Sequence, residues 1–358
     1  MSEKIPKEWK WVKLGEVAEI KTGKTNSQDA NNTGDYPLFD RSSVIKRSKK
    51  FLFDTEAVIV PGEGKEFIPR YYNGKFDLHQ RAYAIFNFKR CISKFIYYNV
   101  LLNKDIFKSF ATGSTVLSLR LEHFLNFPIL LPPLHEQKAI AEVLSSIDDK
   151  IDLLHRQNKT LEEMAMTLFR QWFIEPTKDG LPEGWEEVSL GEIIEISSGK
   201  SIEKGKLKEK GLYPVLGANG EIGRTDDWLY EGELIYTGRV GTLGNVFIVF
   251  RNEKVWLTDN TLVIKPNKNE YFYFVYFTLK NAKLDEYNSG STQPLIRQSD
   301  IKKIEIFLPK INFLKDFEVI SRNLFTKIQF DTSQIQTLDK LRDTLLPKLM
   351  SRELRVKV

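Results

Sequence analysis

The chain has 358 residues, 41% of them hydrophobic and 28% charged, with a net charge of +5 and an isoelectric point near 8.9. That balance excludes a disordered or fibrous chain and supplies apolar material for two cores; it permits a nucleic-acid partner but is equally that of an ordinary solvated surface. A single cysteine, Cys91, and four histidines exclude a disulfide framework and a thiolate cluster, so no metal site is expected.

The opening MSEKIPKEWK lacks the apolar core of a secretion signal, and the most apolar run, YFYFVYFTLK from Tyr271, is too short to span a bilayer. A cytoplasmic protein without a membrane partner is therefore expected.

The predicted elements occur twice. WKWVKLGEVAEIKTGK from Trp9 and WEEVSLGEIIEISSGK from Trp185 share nine of sixteen positions, where average residue usage gives about one by chance. The offset is 176 there and 177 from Tyr36 and Tyr213 onward, through Arg120 and Arg297 to Thr167 and Thr344. Each copy is far longer than a solenoid repeat and can form a domain with an appendage. Each opens on Pro-x-x-Trp, from Pro6 and Pro182, and the spacing of Leu14, Val17 and Ile20 predicts a short amphipathic helix ending at Gly23. Strands are predicted at AVIVP (57–61) and ELIYTG (233–238), then at AYAIFNF (82–88) and NTLVIKP (260–266). An aromatic helix follows in each copy, KFIYYNVLLN from Lys94 and YFYFVYFTLKN from Tyr271. Its rings crowd all round the helix and so belong to a core rather than to a base-stacking face. A proline-closed strand, NFPILLPP (126–133) or IEIFLP (304–309), ends each front part.

The strongest periodicity comes next. Ile140, Leu144, Ile147, Ile151, Leu154, Asn158, Leu161, Ala165, Leu168 and Trp172 alternate spacings of four and three, which is a heptad seam. A helix over 136–173 would be about 57 Å long. The same positions in the second copy read Phe317, Ser321, Leu324, Ile328, Asp331, Ile335, Leu338, Arg342, Leu345 and Leu349. Two such stripes are most simply buried against each other as a coiled coil, with Asn158, Ser321, Asp331 and Arg342 as register-setting or exposed positions. The alternative is that each helix packs on its own domain. EPTKDGLPEG (175–184) reads as a linker. The fold class is α+β: two similar mixed α/β domains, 1–133 and 185–310, each followed by a long helix, 134–175 and 311–355, with a linker at 176–184.

Motifs for catalysis are absent. GKT at Lys24 and GKS at Lys200 imitate the end of a phosphate-binding loop, but Ala18 and Ile194 stand where its first glycine belongs. Both are read as helix-terminating turns. GEGKE around Gly62 also lacks the surroundings of a nucleotide site. His79, His123, His135 and His155 have no counterparts in the other copy, and no catalytic residue is assigned.

What does recur is loops rich in glycine, hydroxyls, amides and arginine. ATGSTVLSLR (111–120) and NSGSTQPLIR (288–297) suit phosphate and base-edge contacts, and GANGEIG (217–223) and TGRVGTLG (237–244) add further polar groups on turns. Arginine and asparagine read guanine and adenine bidentately in the major groove. Basic clusters lie nearby at RSSVIKRSKK (41–50) and KGKLKEK (204–210). HQRA (79–82) lies where TDNT (258–261) does, with the register slipped by about two residues. The candidate DNA-binding residues are Arg41, Lys46, Arg47, Lys65, Gln80, Arg81, Ser114, Thr115 and Arg120 in the first copy. In the second they are Asn219, Arg239, Thr242, Asn260, Ser291, Thr292, Gln293 and Arg297. A shared scaffold with divergent loops predicts two related recognitions of different sequences.

LPEGWEEVSLGEIIEISSGKS, GANGEIG, TGRVGTLGNV, SGSTQPLIRQSDI and LPPLHEQKAI together resemble the specificity subunit of type I restriction-modification systems, over essentially the whole chain. The resemblance implies two target recognition domains on an antiparallel coiled coil, each reading one half of an asymmetric bipartite site in double-stranded DNA. It implies two modification subunits supplying S-adenosylmethionine and adenine methylation, and restriction subunits using ATP and magnesium, with no cofactor in this chain. The Asp/Asn-Pro-Pro-aromatic motif of adenine methyltransferases is absent, in keeping with a non-catalytic reader. One departure is that LPPLHEQ becomes LPKINFL (308–314) at the second junction. The competing expectation is a tandem interaction scaffold whose basic loops are merely solvated.

Overall fold

The computed structural model describes residues 8–31, 33–113, 116–290 and 293–356. The chain forms two compact units, Met1–Leu154 with Ser333–Val358, and His155–Thr332.

The first unit begins with β1 (Lys10–Lys13), α1 (Leu14–Val17), β2 (Glu19–Thr22), β3 (Tyr36–Phe39), β4 (Lys46–Ser48), β5 (Phe53–Pro61), β6 (Arg70–Leu78) and β7 (Ala82–Phe86). Then come α2 (Ser93–Leu102), α3 (Lys104–Phe110), α4 (Leu121–Leu125), β8 (Pro128–Leu131) and the start of α5 (Leu134–Phe169). The helix expected to end at Gly23 is a single turn: Ile20 lies in β2 and pairs with Ile85 of β7. An apolar spacing of three fits one turn followed by a strand as well as a helix, and the ladder decides. Gly23 therefore ends a strand, not a helix.

Six strands in the order β2-β7-β5-β6-β3-β4 make one sheet, antiparallel except for β3 against β6. Val58, Val60 and Ile85 on one face join Phe95, Ile96 and Phe107 in a core. Phe39, Phe53, Ile59, Phe76 and Leu78 make a second core on the same sheet. Each fully buried side chain of this size contributes about 1.5–3 kcal/mol. Cys91 is buried, which pushes its thiol up to about 11.

The second unit contains β9 (Glu186–Ser189), β10 (Ile194–Ser198), β11 (Tyr213–Gly217), β12 (Gly220–Thr225), β13 (Tyr230–Glu231), β14 (Leu234–Gly238), β15 (Val246–Val249), β16 (Lys254–Leu257) and β17 (Thr261–Pro266). α6 (Phe272–Asn281), α7 (Gln298–Lys302), β18 (Glu305–Leu308) and the first part of α8 (Ile311–Met350) complete it. Two four-stranded sheets, β10-β17-β14-β15 and β12-β11-β16-β13, replace the single sheet.

The break has a local cause. Ala57 opposite Tyr72 corresponds to Leu234 opposite Val249, but Phe53 opposite Phe76 corresponds to Tyr230 opposite Val255. Two residues are thus inserted in a turn closed by Glu253 N donating to Phe250 O at 3.0 Å. Opposite the turn, Gly232 takes φ +94, which favours glycine and interrupts the partner strand. The same insertion explains why HQRA and TDNT are out of register by two. Phe272, Tyr273, Phe274, Tyr276 and Phe277 of α6 are each at most 4% exposed, so its rings are core, as their spacing predicts.

Both long helices contribute to both units. In the first, Ile147, Ile151 and Leu154 of α5 pack with Ile335, Leu338 and Leu345 of α8, and Ile140 and Leu144 enter the main core with Leu346 and Leu349. Asp148 accepts from Tyr98 Oη at 2.6 Å and pairs with Arg342 at 3.1 Å. In the second, Ala165, Phe169 and Phe173 share a core with Leu314, Phe317 and Phe325. Asn158 Nδ2 donates to Thr332 Oγ1 at 3.4 Å. Leu161, Leu168, Leu324 and Ile328 are half-buried rather than sealed. Ser321 and Asp331 are fully buried, so neither is an exposed position; Lys327 supplies the counter-charge for Asp331. No helix among the described residues is long and apolar enough to cross a membrane.

Candidate nucleic-acid interface

In the first unit the loops at the ends of β2, β3, β5 and β6 are tied into one cluster. Lys24 N and Thr25 N both donate to Leu78 O, and Gln80 N donates to Thr25 O at 3.0 Å. Beneath them the buried carboxylate of Asp77 accepts from Thr25 Oγ1 and from Ser48 Oγ at 2.8 Å. Asp40, 3% exposed, accepts from Ser42 N at 2.8 Å and pairs with Lys46 at 2.7 Å. Burial pushes its carboxyl up, but Lys46 and Ser42 outweigh burial and hold it below the usual carboxylate range. His79 Nδ1 accepts from Arg81 N at 3.0 Å, and burial pulls this imidazole below its ordinary value.

The GEGKE segment belongs here. Gly64 N donates to Leu117 O at 3.0 Å and Leu119 N to Gly62 O at 2.8 Å, so 62–64 forms a short ladder with 117–119. Gly62 N also donates to Arg81 O at 2.8 Å. The carboxylate of Glu63 then spans two arginines, with Oε2 at 3.4 Å from Arg41 and Oε1 at 3.2 Å from Arg81.

The second unit repeats the ladder at the equivalent positions. Gly241 N donates to Pro294 O at 3.0 Å and Ile296 N to Arg239 O at 2.9 Å. Arg239 N donates to Asn260 O at 2.8 Å, which ties in the loop before β17. Asn219 Nδ2 donates to Thr242 Oγ1 at 2.9 Å, and Asn245 Nδ2 to Asn219 Oδ1 at 3.0 Å. Ser201 Oγ donates to Asp259 at 2.7 Å. The loop amides therefore form a hydrogen-bonded platform rather than separate arms.

Most of the candidate residues reach these two clusters. Arg41, Lys65, Gln80, Arg81 and Arg120 are exposed in the first, as are Asn219, Thr242, Asn260, Gln293 and Arg297 in the second. Gln80 Nε2 donates to Asn26 Oδ1 at 2.6 Å. Ser114, Thr115, Ser291 and Thr292 lie outside the described residues.

Three of the basic candidates are engaged by groups of the protein itself. Arg47 donates from Nε to Gly34 O at 2.9 Å and from Nη2 to Asp35 O at 3.0 Å, so its guanidinium braces a turn. Arg224, 177 residues on, does the same with Gly211 O at 2.8 Å and Leu212 O at 3.0 Å. Lys46 is turned onto Asp40. Arg239 is half-buried, donates to Ser198 Oγ at 3.3 Å, and has an Nε that meets no protein acceptor among the described residues.

Residue-by-residue reading missed Glu63, Asn26, Asn245 and Ser198. The signal available for Arg224 was the repeat itself: Gly34 and Arg47 recur as Gly211 and Arg224 at one constant offset.

The family profile described as the type I restriction modification DNA specificity domain matches residues 6–163 and 182–329. The MjaIX type I restriction enzyme specificity subunit of Methanocaldococcus jannaschii is 28% identical over 99% of this chain and 95% of its own length. The EcoDI specificity subunit of Escherichia coli is 33% identical over 40% of this chain and 32% of its own. In fold, the chain is similar to the crystal structure of a type I restriction-modification S subunit from Mycoplasma genitalium. The TM-score is 0.61 at 21% identity, covering 95% of this chain and 96% of that one. Two matched segments, each carrying its own laddered loop cluster, place this chain in the type I restriction-modification DNA specificity family.

Proposed function

We propose that this chain is the sequence-reading subunit of a type I restriction-modification complex, each unit's loop cluster contacting one half of an asymmetric bipartite site in double-stranded DNA. The observation that carries this reading is the ladder made twice by backbone groups alone, 62–64 with 117–119 and 239–241 with 294–296, while the side chains around it differ. A scaffold built the same way twice with different exposed groups presents two readers of different sequences. The packing of α5 and α8 in both units supports an antiparallel coiled coil that fixes the spacing between half-sites. Two modification subunits would dock on the chain, bringing S-adenosylmethionine for adenine methylation, and restriction subunits would bring ATP and magnesium chemistry. The chain itself would hold no cofactor and act by recognition.

The test is a chimera. Residues 1–133 are replaced by the corresponding segment of a relative, the chain is co-produced with its modification subunits, and methylated adenines are mapped genome-wide. One half of the methylated motif should change and the other persist; a motif left whole by the exchange would overturn the reading.

A further inference from the structure

Glu63 is the one acidic group among the described residues paired with either Arg41 or Arg81. Its side chain is 17% exposed, whereas those of Arg41 and Arg81 are 54% and 59% exposed. The backbone beneath it is pinned on two sides, by the ladder with 117–119 and by Gly62 N donating to Arg81 O. A rigidly based, largely covered carboxylate thus grips two exposed cations from separate loops, each by a single nitrogen. Exposed ion pairs of this kind contribute about 0–1 kcal/mol to stability, so fold maintenance is a weak reason for the arrangement. A negative charge in a phosphate-binding surface also weakens general affinity for DNA. In the second unit the equivalent residue is Val240, which carries no charge.

We propose that Glu63 is a positioning residue for DNA reading: its two carboxylate oxygens orient Arg41 and Arg81 so that their remaining N–H groups meet guanine in the half-site of the first unit. A guanidinium has five donors in a fixed plane, and holding one edge sets the direction of the others. Guanine O6 and N7 are the bidentate acceptors that such an edge fits. The carboxylate at the same time repels phosphate, so wrongly placed DNA is disfavoured. The second unit has no such bracket and relies on its amide platform. This inference rests on the loops facing DNA, as proposed above.

The full chain, co-produced with its modification subunits, is compared as wild type, Glu63→Gln, Arg41→Ala/Arg81→Ala, and the triple variant. The readouts are the methylated-adenine motif and binding to matched, singly substituted and unrelated duplexes at two salt concentrations. Glu63→Gln should reduce discrimination for guanine in the first unit's half-site by about tenfold. It should strengthen binding to unrelated duplex severalfold and leave the other half-site unchanged. In the Arg41→Ala/Arg81→Ala background it should add nothing to the loss of discrimination, an absence that a merely structural role would not produce. An unchanged motif, an effect persisting without the arginines, or a loss in both half-sites would overturn the positioning role. If Glu63→Gln does not fold, Glu63→Val, which installs the side chain of Val240, takes its place with the same outcomes. The exchange of residues 1–133 separates the two ideas: a motif unmoved by exchange sinks DNA reading by these loops. A motif moved by exchange but not by Glu63→Gln sinks only the bracket.

Discussion

The two units solve one folding problem with different continuity. In the first, β5 and β6 run nine residues each and hold six strands in one sheet; in the second, the same hairpin is broken at Gly232 and at the turn over 250–253, giving two sheets of four. Yet the loop ladder beyond the break is preserved, with Gly64 N to Leu117 O matched by Gly241 N to Pro294 O. The laddered loops therefore depend on local tethers near the strand ends and tolerate a change in how the sheet behind them is assembled. The two clusters also differ in kind: charge bracketed by a carboxylate in the first, a network of amides and hydroxyls in the second.

The largest test of the likeness uses the glycines that end β2 and β10. A Cβ on Gly23 would lie 1.8 Å from Leu78 O, and one on Gly199 would lie 2.2 Å from Thr258 O, both backbone atoms that cannot turn aside. Gly23→Ala and Gly199→Ala should each destabilise their own unit by about 3 kcal/mol in urea unfolding, with loss of one half-site in the methylation map. Equal damage to both half-sites from either variant would break the picture of independent readers. A smaller effect comes from the bracing arginines. Arg47→Ala and Arg224→Ala should each cost about 1–2 kcal/mol of unfolding free energy, with lysine failing to restore it because the planar two-carbonyl grip is lost. If Arg47→Ala instead alters base preference without lowering stability, its scaffold assignment is wrong.

The smallest effect should distinguish the units by pH. His79 is held below its ordinary value of 6.5, first by burial and then by Arg41 and Lys46, with Asp40 and Glu63 opposing; Thr258 stands in its place in the second unit. Because the folded state takes up the proton later than the unfolded state, stability from this residue is intact above pH 6.5. It declines as pH falls from 6.5 to the lowered value. His79→Gln should flatten the stability profile of the first unit across that window, measured by thermal unfolding between pH 7 and pH 5. A profile unchanged by the substitution would count against a native-state penalty on charging.

Much of this architecture was legible in the sequence. The duplication, the two long helices and the aromatic helices followed from period and offset, because each is written in runs of neighbouring residues. What stayed hidden was decided at a distance. Ile20 reads as helical until β7 is available to pair with it. The bonds of Arg47 to Gly34 O and Asp35 O appear only once the turn is folded against it, and Glu63 reads as part of a failed nucleotide motif until Arg41 and Arg81 arrive from either side. Asp331 sits at a heptad position whose polar side chain left a register-setting or an exposed role open; the helix packing buries it beside Lys327, which removes the exposed one. Composition ranks side chains by type, and it is the folded neighbours that separate basic residues bonded to the scaffold from those left exposed.

The twice-made ladder has an evolutionary consequence. It is held by main-chain atoms, which every residue except proline supplies in full, so glutamate and valine occupy equivalent places in it without disturbing the joint. The side chains at 63 and 240 can therefore change while the joint persists, whereas Gly64 and Gly241, at φ +138 and +85, are held to glycine. On the proposed reading, a chain of this kind would move to a new target by point changes in one cluster while the other held its own half-site.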